Sequence, residues 1–191
     1  SVAALLDFGD TLRAEPAAGF SLETDAVDLP VDESNLVLKA ARAFAAATGW
    51  SGGARFFLEK RIPTGAGLGG GSSDGVAALR LLNQLAGSPL AAPALAEVAA
   101  KLGSDCPLFL NDGPVIMRGR GERIAPLGPV VAKRISGRRV LLFKPGFGIA
   151  TPWAYAQMAA AAPGSYLPAL AAEARLAGWL QDDEASAEKL L

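Results

Sequence analysis

Five glycines and two serines fall between Lys60 and Asp74, in the order Lys60, Arg61, Ile62, Pro63, Thr64, Gly65, Ala66, Gly67, Leu68, Gly69, Gly70, Gly71, Ser72, Ser73, Asp74. Glycine lacks a Cβ, so its backbone can take positive φ and lie close to a ligand, which lets several N–H groups converge on one anion. The stretch leads straight into a helical pattern in which Val76, Leu79, Leu82 and Leu85 recur every three residues. Ser72, Ser73 or Asp74 can cap that helix. A helix start adds unpaired N–H groups and the positive end of a macrodipole, so the expected guest is a polyphosphate.

Other phosphate-loop grammars fit less well. A Walker-type loop needs Lys and then Ser or Thr after its last glycine, whereas Gly71 precedes Ser72 here. Gly65, Gly67 and Gly70 satisfy G-x-G-x-x-G, but the dinucleotide version also wants a buried apolar strand before it and an acidic residue about twenty positions on. Residues 55–61 alternate and end charged, Pro63 intervenes, and residues 82–90 contain no acid. A flexible Gly-Ser linker seldom opens a well-patterned helix.

A second candidate for chemistry is Asp105, which follows Gly103 in a short loop ahead of Pro107, Leu108 and Phe109. A carboxylate there can accept the proton of an attacking hydroxyl, or it can be an ordinary turn aspartate; the residues alone leave both open. Cys106 is the only cysteine and the chain has no histidine, which excludes an internal disulfide and a cysteine-rich zinc site. Cys106 itself reads as a packed thiol rather than a nucleophile. A net charge of −1 offers no polybasic field for nucleic acid, and the 51% hydrophobic content argues against disorder. No apolar run reaches the length of a membrane span, so a soluble cytoplasmic protein is expected.

The elements that must position these residues are mixed α and β without an internal repeat. Residues 3–7 and 11–15 read as strands separated by a Gly9–Asp10 turn, with 20–24 a third. Asp32 or Ser34 is expected to cap a helix whose Leu36, Ala40 and Phe44 form an apolar stripe ending near Gly49. Residues 55–60 form a strand before the glycine loop. Beyond the helix to Leu85, Pro89 and Pro93 introduce another, with Leu95, Val98 and Leu102 on one side and Gly103 as its stop. Residues 114–117 and 123–127 suggest a hairpin around Gly119, Arg120 and Gly121. A boundary is expected between Gly128 and Gly137, giving domains 1–132 and 133–191. A strand at 139–144 then precedes helices at 151–161, 168–180 and 184–191, broken by Pro163–Gly164 and Gly178.

Residues 60–63 and 66–74 together resemble the phosphate loop of the GHMP kinases. Residues 6–11 (Leu-Asp-Phe-Gly-Asp-Thr) resemble that family's early strand and turn, and residues 32–37 (Asp-Glu-Ser-Asn-Leu-Val) its adenosine segment. Residues 102–109 (Leu-Gly-Ser-Asp-Cys-Pro-Leu-Phe) are similar to the motif carrying its catalytic aspartate. Residues 144–146 (Lys-Pro-Gly), with Thr151 and Tyr155, are similar to its substrate-side strand and helix. The resemblance implies an α+β GHMP kinase fold, a ribosomal-protein-S5-domain-2-like N-terminal domain with the beginning of a ferredoxin-like C-terminal domain. It implies an ATP-dependent small-molecule kinase with Mg²⁺, acting on a cytidine diphosphate-linked polyol of the non-mevalonate isoprenoid pathway. Asp105 would be the catalytic base. Pro63, Gly65, Ala66, Gly67, Leu68, Gly69, Gly70, Gly71, Ser72 and Ser73 would hold ATP, Ser72 also meeting the metal, with Asn35 and Lys60 bordering the adenine pocket. Thr151 and Tyr155 would face the cytidylyl half. No nucleic-acid or membrane partner is implied, and the chain would be a monomer or homodimer. The family's lysine strand, Tyr-His segment and closing glycine motif have no counterpart, which implies a chain truncated at both ends. Another GHMP kinase acting on homoserine, mevalonate or a sugar, and a nucleotide-binding but catalytically incomplete chain, are the alternatives.

Overall fold

Every second side chain of strand β4 (Gly53–Glu59) is apolar, and Ala54, Phe56 and Leu58 all point inward and are buried. In the computed structural model, which describes residues 1–119, 121–165 and 167–190, β4 is the centre of a three-stranded sheet. It pairs antiparallel with β2 (Thr11–Ala17) and parallel with β3 (Ser21–Thr24). A parallel pair requires a crossover, which helix α1 (Leu36–Thr48) supplies between β3 and β4. Pro16 is tolerated because β2 is an edge strand.

Helices α2 (Gly70–Leu85) and α3 (Ala92–Leu102) complete the core of the first of two compact units, Ser1–Pro126. Val37 and Phe44 of α1, Phe56 and Leu58 of β4, and Val76, Leu79 and Leu82 of α2 form its centre. Leu85, expected on the same face, remains exposed at the helix end. Gly49 ends α1 at φ 70° as expected of a left-handed cap.

The structure corrects three local expectations in this unit. Residues 3–7 do not form a strand ahead of Gly9–Asp10, and the strands on either side of that turn lie in different sheets. Strand β1 is Val2–Ala3 and pairs antiparallel with β5 (Val115–Arg118), which in turn pairs with β6 (Arg123–Pro126) in a separate sheet. Periodicity identifies a strand but not its partner, and the partner here is more than a hundred residues away. Neither Asp32 nor Ser34 caps α1. Asn35 does, its Oδ1 accepting from the Val37 amide at 2.9 Å, while Asp32 accepts from the Ser34 amide at 2.8 Å one turn earlier. The cap of α2 is Gly69 at φ 71°, ψ 16°, without a side-chain bond, so Ser72, Ser73 and Asp74 lie inside the helix. The glycines enter the helix themselves, which starts it earlier than a serine cap would. The β5–β6 hairpin forms as expected; Arg120 of its turn lies outside the described residues.

The second unit, Leu127–Leu191, is built on α4 (Pro129–Ala132), α5 (Thr151–Ala161) and α6 (Ala169–Gln181), with short 3₁₀ turns at Pro163–Ser165 and Ala187–Leu190. Its local core forms around Leu176 and Trp179, with the Arg134 guanidinium 5.2 Å over the Trp179 ring. The strand expected at 139–144 is absent, leaving Leu141 95% and Phe143 88% exposed. A strand needs a neighbour for its N–H and C=O groups, and none is present among the described residues of this unit. Gly178 does not break α6 but lies within it, because one exposed glycine weakens a helix without ending it. The helix expected at 184–191 is reduced to the 3₁₀ turn, and Leu191 lies outside the described residues.

Candidate functional site

Three glycines of the loop, Gly65, Gly67 and Gly69, have φ of 67°, 71° and 71°, whereas Ala66 and Leu68 between them have negative φ. Alternating signs of φ turn successive N–H groups toward one side, which makes an anion-binding concavity. Gly69 hands the chain to α2, whose first residues are Gly70, Gly71 and Ser72. The predicted residues from Pro63 to Ser73 are therefore one continuous loop and helix start, with the dipole of a 16-residue helix behind it.

Asp105 is exposed and stands immediately before the 3₁₀ segment Cys106–Leu110. That segment is docked on the glycine loop. A Cβ at Gly69 would lie 2.7 Å from Cζ of Phe109, so the bare glycine and the aromatic ring are in contact. The Cys106 thiol is buried beside Ser72; burial raises its pKa, the Ser72 side chain opposes that, and the charge of Asp105 adds to it. Cys106 is a packed thiol, as expected. Two of the neighbours of Asp105 thus tie its loop to the start of α2.

Sequence reasoning missed the strongest electrostatic feature nearby. The Lys60 Nζ donates to Asp10 Oδ2 and, at 2.9 Å, to Asp74 Oδ2. The Lys60, Asp10 and Asp74 side chains are only 8%, 3% and 7% exposed. Asp10 Oδ1 also accepts from the amides of Arg61 at 2.5 Å and Ile62 at 2.8 Å. Burial would raise the Asp10 pKa, but the Lys60 bond and the two amides outweigh it and hold the carboxyl below its ordinary value. For Asp74 burial wins and pushes the pKa up to about 6, against the pull of Lys60. Burial likewise works against the Lys60 ammonium, yet its two carboxylates leave its pKa above the ordinary value. Asp10 and Asp74 stood in the sequence as a turn former and a cap candidate; nothing local announces a pairing across 50 residues.

Lys60 is therefore not the exposed strand-end residue its position suggests. Asn35 is buried as well, its Nδ2 donating to the Pro30 carbonyl at 2.8 Å while Oδ1 caps α1. Thr151 and Tyr155 are one turn apart on α5 of the second unit, both exposed. A groove of about 460 Å³ on the outer face of the β2–β4–β3 sheet, between Arg13, Glu23, Phe57 and Glu59, contains none of the predicted residues. Among the described residues no three His, Cys, Asp or Glu side chains gather as metal ligands, and no helix is long and apolar enough to cross a membrane.

Residues 35–113 match the GHMP kinases N terminal domain. Across 144 residues the chain is 45% identical to the 4-diphosphocytidyl-2-C-methyl-D-erythritol kinase of Synechococcus elongatus, covering 75% of this chain and 45% of that protein. It is 40% identical over 159 residues to the enzyme of that name from Carboxydothermus hydrogenoformans, covering 83% and 54%. The crystal structure of a 4-(cytidine 5'-diphospho)-2C-methyl-D-erythritol kinase superposes with a TM-score of 0.67 at 34% identity, over 93% of this chain and 60% of that one. The Methanococcus jannaschii mevalonate kinase superposes with a TM-score of 0.57 at 10% identity over 67% of this chain and 49% of that one, a likeness of fold. The chain spans about half the length of the relatives it matches.

Proposed function

We propose that the chain, whose residues 35–113 match the GHMP kinases N terminal domain, is a GHMP kinase serving the ATP-dependent phosphorylation of the 2-hydroxyl of 4-diphosphocytidyl-2-C-methyl-D-erythritol. The observation that carries this is the glycine loop of alternating φ at the start of α2, with the Asp105 segment docked on it through Phe109 and Cys106. The similarity to enzymes of that name supports the choice of substrate.

In this mechanism the amides of residues 67–72 hold the β- and γ-phosphates, the Ser73 amide being already bonded to the Gly69 carbonyl at 2.9 Å. Phosphoryl transfer passes through a loose transition state, so the loop contributes by alignment and by stabilising charge on the transferring oxygens. Asp105 accepts the proton of the 2-hydroxyl as that oxygen bonds to the γ-phosphorus and the bond to the β–γ bridging oxygen breaks, leaving ADP. Its exposure suits a group that must meet a substrate. Mg²⁺ would be held by the Ser72 hydroxyl, with Ser73 beside it, and by phosphate oxygens and water. When bound it would neutralise charge on the phosphates. Asn35 borders the adenine side, Thr151 and Tyr155 take the cytidylyl half, and the protein works in the cytoplasm as a monomer or homodimer.

The test is to incubate the protein with [γ-³²P]ATP and the cytidylyl polyol and to measure ATP binding in parallel. Transfer to the polyol, with homoserine and mevalonate left unlabelled, is the expected result. ATP binding without transfer would leave a nucleotide-binding module, and labelling of homoserine or mevalonate instead would reassign the substrate.

A further inference from the structure

The phosphate loop leaves β4 at Lys60 and enters α2 at Gly70, and both ends meet the same buried charges. At the entrance, Asp10 Oδ1 takes the amides of Arg61 and Ile62, the first two residues of the loop. At the exit, Asp74 stands in the second turn of α2. The Lys60 ammonium bridges the two carboxylates. The junction is tight: a Cβ on Gly70 would lie 3.0 Å from Lys60 Nζ and 2.9 Å from Ile62 Cγ2.

We propose that Lys60 is a positioning residue whose ammonium, braced by Asp10 and Asp74, sets the spacing of the two ends of the phosphate loop without itself touching the nucleotide. The inference rests on the loop being the nucleotide site, and it replaces direct contact as the role of Lys60. Two of its three N–H donors are already committed to carboxylates, and its side chain is 8% exposed. Charge-assisted bonds to buried partners fix geometry more firmly than they add net stability. A loop rich in glycine loses much conformational freedom when ordered, so tying both its ends beforehand spares part of that loss at the moment of binding.

The experiment compares ATP with AMP, which lacks the two phosphates the loop would hold, by competition against a fluorescent nucleotide. Lys60→Met and Asp10→Ala are each expected to weaken ATP by about tenfold or more while AMP changes by less than about twofold, as lost pre-organisation of the phosphate site predicts. The double variant should be little worse than either single one, because the cluster acts as a unit. Equal losses for AMP and ATP in Lys60→Met, with Asp10→Ala sparing both, would overturn the proposal in favour of adenine contact. Unchanged ATP affinity in both variants would overturn it too. Should either variant fail to fold, ¹⁵N NMR of the wild-type ammonium decides: a Lys60 Nζ signal that keeps its shift on saturation with ATP supports positioning, and one that moves to a new partner refutes it. Wild-type protein that binds no ATP would sink the nucleotide assignment of the loop itself, a result distinct from all of these.

Discussion

Asp10 and Asp74 share one lysine and are driven in opposite directions, because burial prevails at Asp74 whereas at Asp10 the Lys60 bond and two backbone amides outweigh it. The pH consequences follow from those directions. The depressed Asp10 carboxyl contributes stability that is present above its unfolded value of 3.8 and is lost as the pH falls through its lower folded value. Asp74, raised to about 6, contributes in the opposite sense, fully below 3.8 and fading as the pH rises through about 6. Urea titrations across the acid range should therefore show wild type more stable than Asp10→Asn near neutrality, with the gap closing below pH 3.8. A gap that persists undiminished into strong acid would mean that Asp10 is not ionised in the fold. Asp105 is the proposed general base. Asp105→Asn should lower turnover by about 10²- to 10⁴-fold with ATP affinity within a few-fold, the usual cost of losing a general base. Turnover equal to wild type would remove Asp105 from the mechanism.

The element that matters most is the junction of glycine loop and α2. Gly69 combines a φ of 71° with Phe109 at 2.7 Å from where a Cβ would be, while Gly65, at φ 67°, has nothing within 4 Å. A side chain at Gly65 meets only the left-handed backbone, costing roughly 1–2 kcal/mol. At Gly69 a branched side chain also drives Phe109 away, and with it the segment that carries Asp105. Gly69→Val should thus weaken ATP binding by more than tenfold, roughly, and Gly65→Ala by much less, since only the first displaces a packed neighbour. Calorimetric titrations of both variants check this; equal effects would detach Phe109 from the site.

Across the whole molecule, burial is unevenly distributed. The first unit has a continuous core running through α1, β4, α2 and α3, whereas α5 of the second unit buries no residue and residues 139–150 have no regular structure. Local stability follows buried contacts and paired backbone groups. Amide hydrogen exchange should be slowest at Leu38, Phe44, Phe56 and Leu79 and fastest across 139–150. Strong protection at Leu141 or Phe143 would show a pairing that the structure lacks.

The glycine loop, helices α1 to α3 and α5, and strand β4 were legible in the amino-acid sequence, because each is specified within a turn or two of chain by periodicity, by glycine where φ must be positive, and by proline near helix starts. The glycine chemistry pointed to phosphate on the same local grounds. Which strand Val2 and Ala3 would join, that Asn35 rather than Asp32 would cap α1, and that residues 139–144 would go unpaired were decided only in three dimensions. So was the bridge from Lys60 to Asp10 and Asp74, and the seat of Phe109 on Gly69. These outcomes depend on which distant groups are buried together. A buried charge or an open N–H must find its partner wherever packing has brought one, and no local pattern records that choice.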